Sequence, residues 1–138
     1  MYYQLYQAYL IIQRLLANFP VNNNPLELRI SPLLSEANNT LLTTLQLIQQ
    51  PQVNEHHLKY LLSVIYRNDE ALDPLTRAWG RASLWMDSAS PTVIHERLKW
   101  YKAYKKELEQ LVPNVKSLYG EEEARYIVPP LYRKEVGA

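Results

Sequence analysis

Hydrophobic positions recur every three or four residues along most of this chain, and that period predicts helices. The first helix is expected over Tyr2–Asn18, stopping ahead of Pro20. Gln4, Gln7, Arg14 and Asn18 fall on one narrow polar stripe with Ile11 among them, while Tyr2, Leu5, Tyr6, Tyr9, Ile12, Leu15 and Leu16 cover much of the rest. A helix apolar over so much of its circumference belongs in the middle of a bundle or under a partner. Three asparagines between Pro20 and Pro25 predict a loop. Leu26, Leu28 and Ile30 alternate as a strand would, but one short run has no partner strand, so residues 26–39 are expected as a short helix or an extended linker.

Further helices are expected over Asn39–Gln50, before Pro51, and over Asn54–Arg67, where Asn54 is a good N-cap and Leu58, Leu61, Leu62 and Ile65 line an inner face. Asp73-Pro74 and Ser90-Pro91 each set a capping side chain before a proline suited to the first helical position. They predict a fourth helix over Pro74–Asp87 and a fifth over Pro91–Val112, ended by Pro113. Leu75, Ala78, Trp79, Ala82, Trp85 and Met86 make the inner face of the fourth; Ile94, Leu98, Tyr101, Leu108 and Val112 make that of the fifth. One or two short helical turns are expected over residues 114–126, and an extended tail over 127–138. The reading is an all-α compact bundle of about five main helices, one domain over residues 1–138.

Composition agrees with a packed core: 47% of residues are hydrophobic and 21% charged. The chain has no cysteine, which excludes a disulfide scaffold, thiolate zinc sites and cysteine nucleophiles. The apolar run Tyr9–Leu16 is broken by Gln13 and Arg14, short of the roughly 20 residues a bilayer needs. No secretion signal is visible at the N-terminus, so a cytoplasmic protein without membrane contact is expected.

The net charge of +1 conceals a basic centre. Residues 59–106 carry nine basic and five acidic side chains, whereas 1–58 and 107–138 are each net acidic. His95, Lys99, Lys102 and Lys106, spaced four, three and four apart, form one stripe; Arg77 and Arg81 stand one turn apart on the helix before. Like charges so placed repel by a few tenths of a kcal/mol per pair, roughly, and gain nothing locally. A polyphosphate backbone is the simplest anion to attract them, and nothing here suggests base-specific readout. The phosphate-contacting set is therefore Arg77, Arg81, Lys99, Lys102 and Lys106, with His95 peripheral; Lys59 and Arg67 could extend it. Trp79 and Trp85 belong with the core, and Trp100, between the basic and apolar stripes, is better placed for exposure.

Catalysis finds little footing. His56 and His57 are adjacent on one helix and diverge by about 100°, so they do not grip one metal. There is no His-Glu-x-x-His pattern, no acidic calcium loop, no phosphate-cradling glycine loop and no nucleophile elbow. Glu121, Glu122 and Glu123 after Gly120 suit the first turn of a helix, where the dipole stabilises acidic groups. A non-enzymatic binding protein without a cofactor is expected.

Five helices, a first helix beginning at Tyr2 and basic stripes at Arg77/Arg81 and Lys99/Lys102/Lys106 together resemble the small subunit of type I CRISPR surveillance (Cascade) complexes. In some subtypes, type I-D and I-B among them, that subunit is translated from an internal start in the large-subunit gene, which a chain opening directly in a helix would suit. The resemblance implies a non-catalytic subunit present in several copies. These would touch each other, the other subunits of the complex, the guide RNA and the target DNA, with basic faces on the nucleic-acid backbone and the tyrosine-rich first helix on protein. The alternative is a helical adaptor or inhibitor that docks on a protein through the apolar first helix, its basic stripe merely solvated.

Overall fold

The computed structural model describes residues 1–19, 25–86 and 91–132, the side chains of 83–86 and 91 excepted. They form four helices, α1 (Tyr2–Asn18), α2 (Pro25–Ile48), α3 (Glu55–Met86) and α4 (Pro91–Ile127), followed by a 3-10 turn at Pro130–Tyr132; no strand occurs among the described residues.

Each helix packs on two others, in the cyclic order α1–α2–α3–α4–α1. Cross-links fix the directions. Gln49 near the end of α2 donates to the Tyr2 hydroxyl at the start of α1. Trp79, late in α3, donates its indole N–H to Glu27 Oε1 in the first turn of α2 at 3.2 Å. Lys59 of early α3 meets Glu123 of late α4 at 2.6 Å. Neighbours therefore run antiparallel, giving an up-down-up-down four-helix bundle. Its core takes Leu5, Ile12 and Leu15 from α1, Ile30, Leu34 and Leu41 from α2, Leu62, Ile65 and Leu72 from α3, and Ile94, Tyr104 and Leu108 from α4.

Four helices stand where five were expected, because Pro74 lies inside one helix instead of starting another; Pro32 and Pro113 also lie inside helices, which lengthens two of them. Residues 26–39 are neither linker nor separate helix: α2 runs through Pro32. The helices expected over Asn54–Arg67 and Pro74–Asp87 are one, α3, running through Pro74. Likewise α4 passes Pro113. Each proline releases the carbonyl four residues earlier. Those carbonyls belong to Leu28, Glu70 and Glu109, all exposed residues on which water can replace the missing bond. Buried side chains continue at helical spacing across each proline, as Ile30 to Leu34, Leu72 to Thr76 and Val112 to Val115. Packing thus outweighs the roughly 3 kcal/mol that an interior proline costs.

Two expected helix starts hold. Asn54 Oδ1 accepts the backbone N–H of His57 at 3.0 Å, capping α3, and α4 begins at Pro91; the cap expected from Ser90 lies outside the described residues. Within α4, Gly120 has φ 85° and ψ 163°, a conformation almost confined to glycine, and it breaks the helix. Glu121, Glu122 and Glu123 follow directly, at the start of the final turns, as their dipole reading requires.

The expected tail is partly corrected. Val128 is buried, and the Pro130–Tyr132 turn carries Tyr132 into the interior at 1% exposure. An aromatic ring and a hydroxyl with a waiting carboxylate outweigh the two prolines that suggested an extended tail. Residues 133–138 lie outside the described residues.

Candidate nucleic-acid interface

The contact of α3 with α4 is set by Gly80. A Cβ at this position would lie 3.0 Å from both methyl carbons of Leu98, so only glycine lets the helices approach this closely without displacing Leu98. On one side of that contact, Lys105 of α4 reaches the carboxylates of Asp69, at 2.8 Å, and Asp73, at 2.7 Å. Asp73 also accepts from Arg77 one turn along α3, and Asp69 accepts from the Tyr132 hydroxyl. Lys105 Nζ stands 5.9 Å from the centre of the Tyr132 ring, within cation–π range. Asp73 is therefore no helix cap; it joins an ionic network that locks α3, α4 and the C-terminal turn together.

Tyrosines crowd this network. Tyr66 donates to the Leu108 carbonyl at 2.7 Å and packs edge-on against Tyr132. Burial, reinforced by the nearby Asp69 charge, holds the Tyr66, Tyr104 and Tyr132 hydroxyls well above tyrosine's ordinary range. All three stay protonated at neutral pH and leave the negative charge to Asp69 and Asp73.

Beside the network a groove of about 350 Å³ opens between α3 and α4. It is lined by Arg77, Arg81, Lys102 and Lys105, by the Asp73 that pairs with Arg77 and Lys105, and by Thr76, Gly80, Leu98 and Tyr101. Three of the six expected phosphate-contacting residues, Arg77, Arg81 and Lys102, thus converge on one groove from two helices. His95, Lys99 and Lys106 do not line it; they are exposed on α4, with Lys99 and Lys106 one turn to either side of Lys102.

The cations differ in how free they are. Lys105 is largely consumed by Asp69 and Asp73, and Arg77 is tied to Asp73 although its side chain is 65% exposed. Arg81, His95, Lys99, Lys102 and Lys106 make no ion pair among the described residues. No family model, curated protein or solved structure matches this chain. The groove and its unpaired cations are accordingly the ground on which a functional reading rests.

Other candidates fall elsewhere. Lys59 and Arg67 do not line this groove: they line a second cavity of about 350 Å³ nearer the N-terminal end of α3, with His56, Tyr60 and Tyr126, and Lys59 is paired with Glu123. Trp79 is core, as expected, at 1% exposure. Trp100 is half-buried against the core, and the Arg14 guanidinium lies 5.5 Å from its ring centre. Trp85 lies outside the described side chains. No group of three or more histidine, aspartate or glutamate side chains that could hold a metal occurs among the described residues, and no described helix is long and apolar enough to cross a membrane.

Sequence reasoning missed Lys105, Asp69 and Tyr132. Asp69, Asp73 and Arg77 follow one another at four-residue spacing, a legible acid–acid–base series along one helix face. Reading Pro74 as a helix start cut that series in two.

Proposed function

We propose that this protein is a non-catalytic subunit that binds nucleic-acid backbone through the α3–α4 face. The observation that carries the reading is the pair Arg81 and Lys102, brought by different helices to one groove without a carboxylate partner among the described residues. Like charges gathered along one groove are stabilised by an anion bound between them. Lys99 and Lys106 lengthen the face along α4, and His95 lies at its edge. Such a surface follows phosphates and carries no base code.

In the assembly that the likeness to CRISPR small subunits implies, the phosphates would belong to guide RNA and target DNA. Copies of this chain and other subunits would then meet α1. Tyr2, Tyr3, Tyr6 and Leu10 are exposed on that helix, and this apolar surface also favours the second reading, an adaptor or inhibitor that docks on a protein.

Binding of duplex and single-stranded DNA across a salt series separates the two. Each phosphate neutralised contributes about −0.9 to the slope of log K against log salt on duplex. The Arg81→Ala/Lys102→Ala variant is expected to flatten that slope by nearly two contacts while its melting temperature holds. Equal slopes for variant and wild type would leave the adaptor reading in front.

A further inference from the structure

Charge is missing from one side of the bundle. Arg14 is the only charged residue of α1, and its guanidinium lies over the Trp100 ring of α4. On α2, Glu27 is buried, and Glu36 borders a cavity with Tyr60 and Asn68 of α3. Arg29, seven residues before Glu36, stands on the same line of the helix. The surface that α1 and α2 present outward together therefore carries no charge. Leu28, Ser35 and Leu42 follow one another along α2 at seven-residue spacing, all exposed, and Gln49, next on that line, donates to the Tyr2 hydroxyl of α1. Beside them Tyr2 and Tyr6 stack at 5.9 Å between ring centres, and exposed Tyr3 and Leu10, seven apart, make the next line of α1. Six of the eleven large hydrophobic side chains exposed among the described residues lie here, on Tyr2, Tyr3, Tyr6, Leu10, Leu28 and Leu42. Depletion of charge with enrichment of tyrosine distinguishes the centre of a protein interface from ordinary surface.

Symmetry and size select the occupant. A two-fold contact sets one patch against itself, so a charge near the axis meets its like. A face without charge avoids that repulsion, and it offers an acidic or basic partner nothing to steer it. With 17 residues α1 is about 26 Å long, and two packed helices are roughly 20 Å across. The face thus covers roughly 500 Å², and two copies pressed together bury about 1,000 Å², the size at which specific interfaces begin. We infer that the α1–α2 face is a two-fold interface with a second copy of this chain. It lies opposite the α3–α4 groove in the cyclic order of helices, so the dimer carries its two grooves on outward sides. The contact does not depend on nucleic-acid binding, although two grooves on one particle strengthen the hold on a strand that reaches both.

Sedimentation equilibrium of the full chain across a concentration series is expected to give a particle of twice 16.2 kDa. Leu10→Glu/Leu42→Glu places like charges on both copies and is expected to weaken the dimer on the order of a hundredfold. Its helix content should hold, since both positions are exposed. Leu10→Lys/Leu42→Lys is expected to do the same alone. Mixing the two variants is expected to restore a dimer, because opposite charges then face each other, and a damaged fold is not rescued in this way. Tyr60→Glu, on α3, is expected to leave the mass unchanged. A wild type that stays monomeric throughout the series, a glutamate variant that dimerises as tightly as wild type, or an assembly that grows past two copies would overturn the two-fold face. The wild-type mass decides even where a variant fails to fold. Failed DNA binding by an intact dimer overturns the nucleic-acid reading alone, and DNA binding by a strict monomer overturns this one alone.

Discussion

Lys105 Nζ lies 2.8 Å from Asp69 Oδ2, joining α4 to α3 through a carboxylate whose side chain is only 2% exposed. Neither residue belongs to an exposed basic stripe, yet together they fix how the two groove-forming helices meet. A buried ion pair adds little over an apolar pair of the same shape, but removing one partner strands the other. Lys105→Ala leaves Asp69 and Asp73 facing each other with only Arg77 and the Tyr132 hydroxyl to offset them. The expected loss is about 3 kcal/mol in urea unfolding. Lys102→Ala, three residues away and exposed without an ion-pair partner among the described residues, is expected to stay within about 0.5 kcal/mol of wild type. Similar losses for the two would mean that the network does not hold α3 against α4.

Tyr132→Phe keeps the ring in its pocket and deletes only the donor to Asp69. A hydrogen bond to a charged, buried acceptor makes the expected cost about 1.5–3 kcal/mol. Removal of residues 129–138 should cost more, because the ring and its contact with Tyr66 go as well. If both changes leave the urea midpoint unmoved, the C-terminal turn is not docked.

Gly120→Ala isolates a backbone effect. A Cβ there would meet nothing within 4 Å, so its cost comes from φ 85° alone. The expected destabilisation is about 1–3 kcal/mol, with faster amide exchange over Glu121–Ile127. An unchanged stability would indicate that this break in α4 is not held in solution.

Alkaline pH should unfold the protein through its tyrosines. Tyr119 is pushed up to about 12 by burial, with Glu55 adding to the effect, and Tyr66, Tyr101, Tyr104 and Tyr132 also lie above the ordinary value of 10.0. Unfolded tyrosines release protons near 10 while these folded ones retain theirs, so the unfolded state holds fewer protons there and stability falls as pH rises. The contribution is complete below pH 10. For Tyr119 it is lost through about pH 12, and for the others it continues to fall beyond. Tyrosinate absorbance followed beside circular dichroism should show these groups ionising together with loss of helix. Early, independent ionisation of all eleven tyrosines would contradict their burial.

How much of this was legible in the sequence depends on the signal. The period of hydrophobic positions placed Leu58, Leu62, Ile65, Ile94 and Leu108 correctly in the core, and Asn54 correctly as a cap. Proline misled the element count. Whether Pro32, Pro74 and Pro113 end a helix depends on whether the released carbonyl reaches water and whether packing resumes beyond it, and both are tertiary facts. The stripe on α4 and the Arg77/Arg81 pair could be read from spacing. Their convergence could not, since it depends on the register between α3 and α4 that Gly80, Leu98 and Lys105 establish far apart in the chain.

Amide chemical-shift mapping of the full chain titrated with a short single-stranded oligonucleotide tests the central claim most directly. Changes concentrated on residues 77–81 of α3 and 98–106 of α4, weakening as salt is raised, are the predicted result. Changes centred instead on the cavity at His56, Lys59 and Arg67, or on the Tyr2–Leu10 face of α1, or none at all, would contradict it.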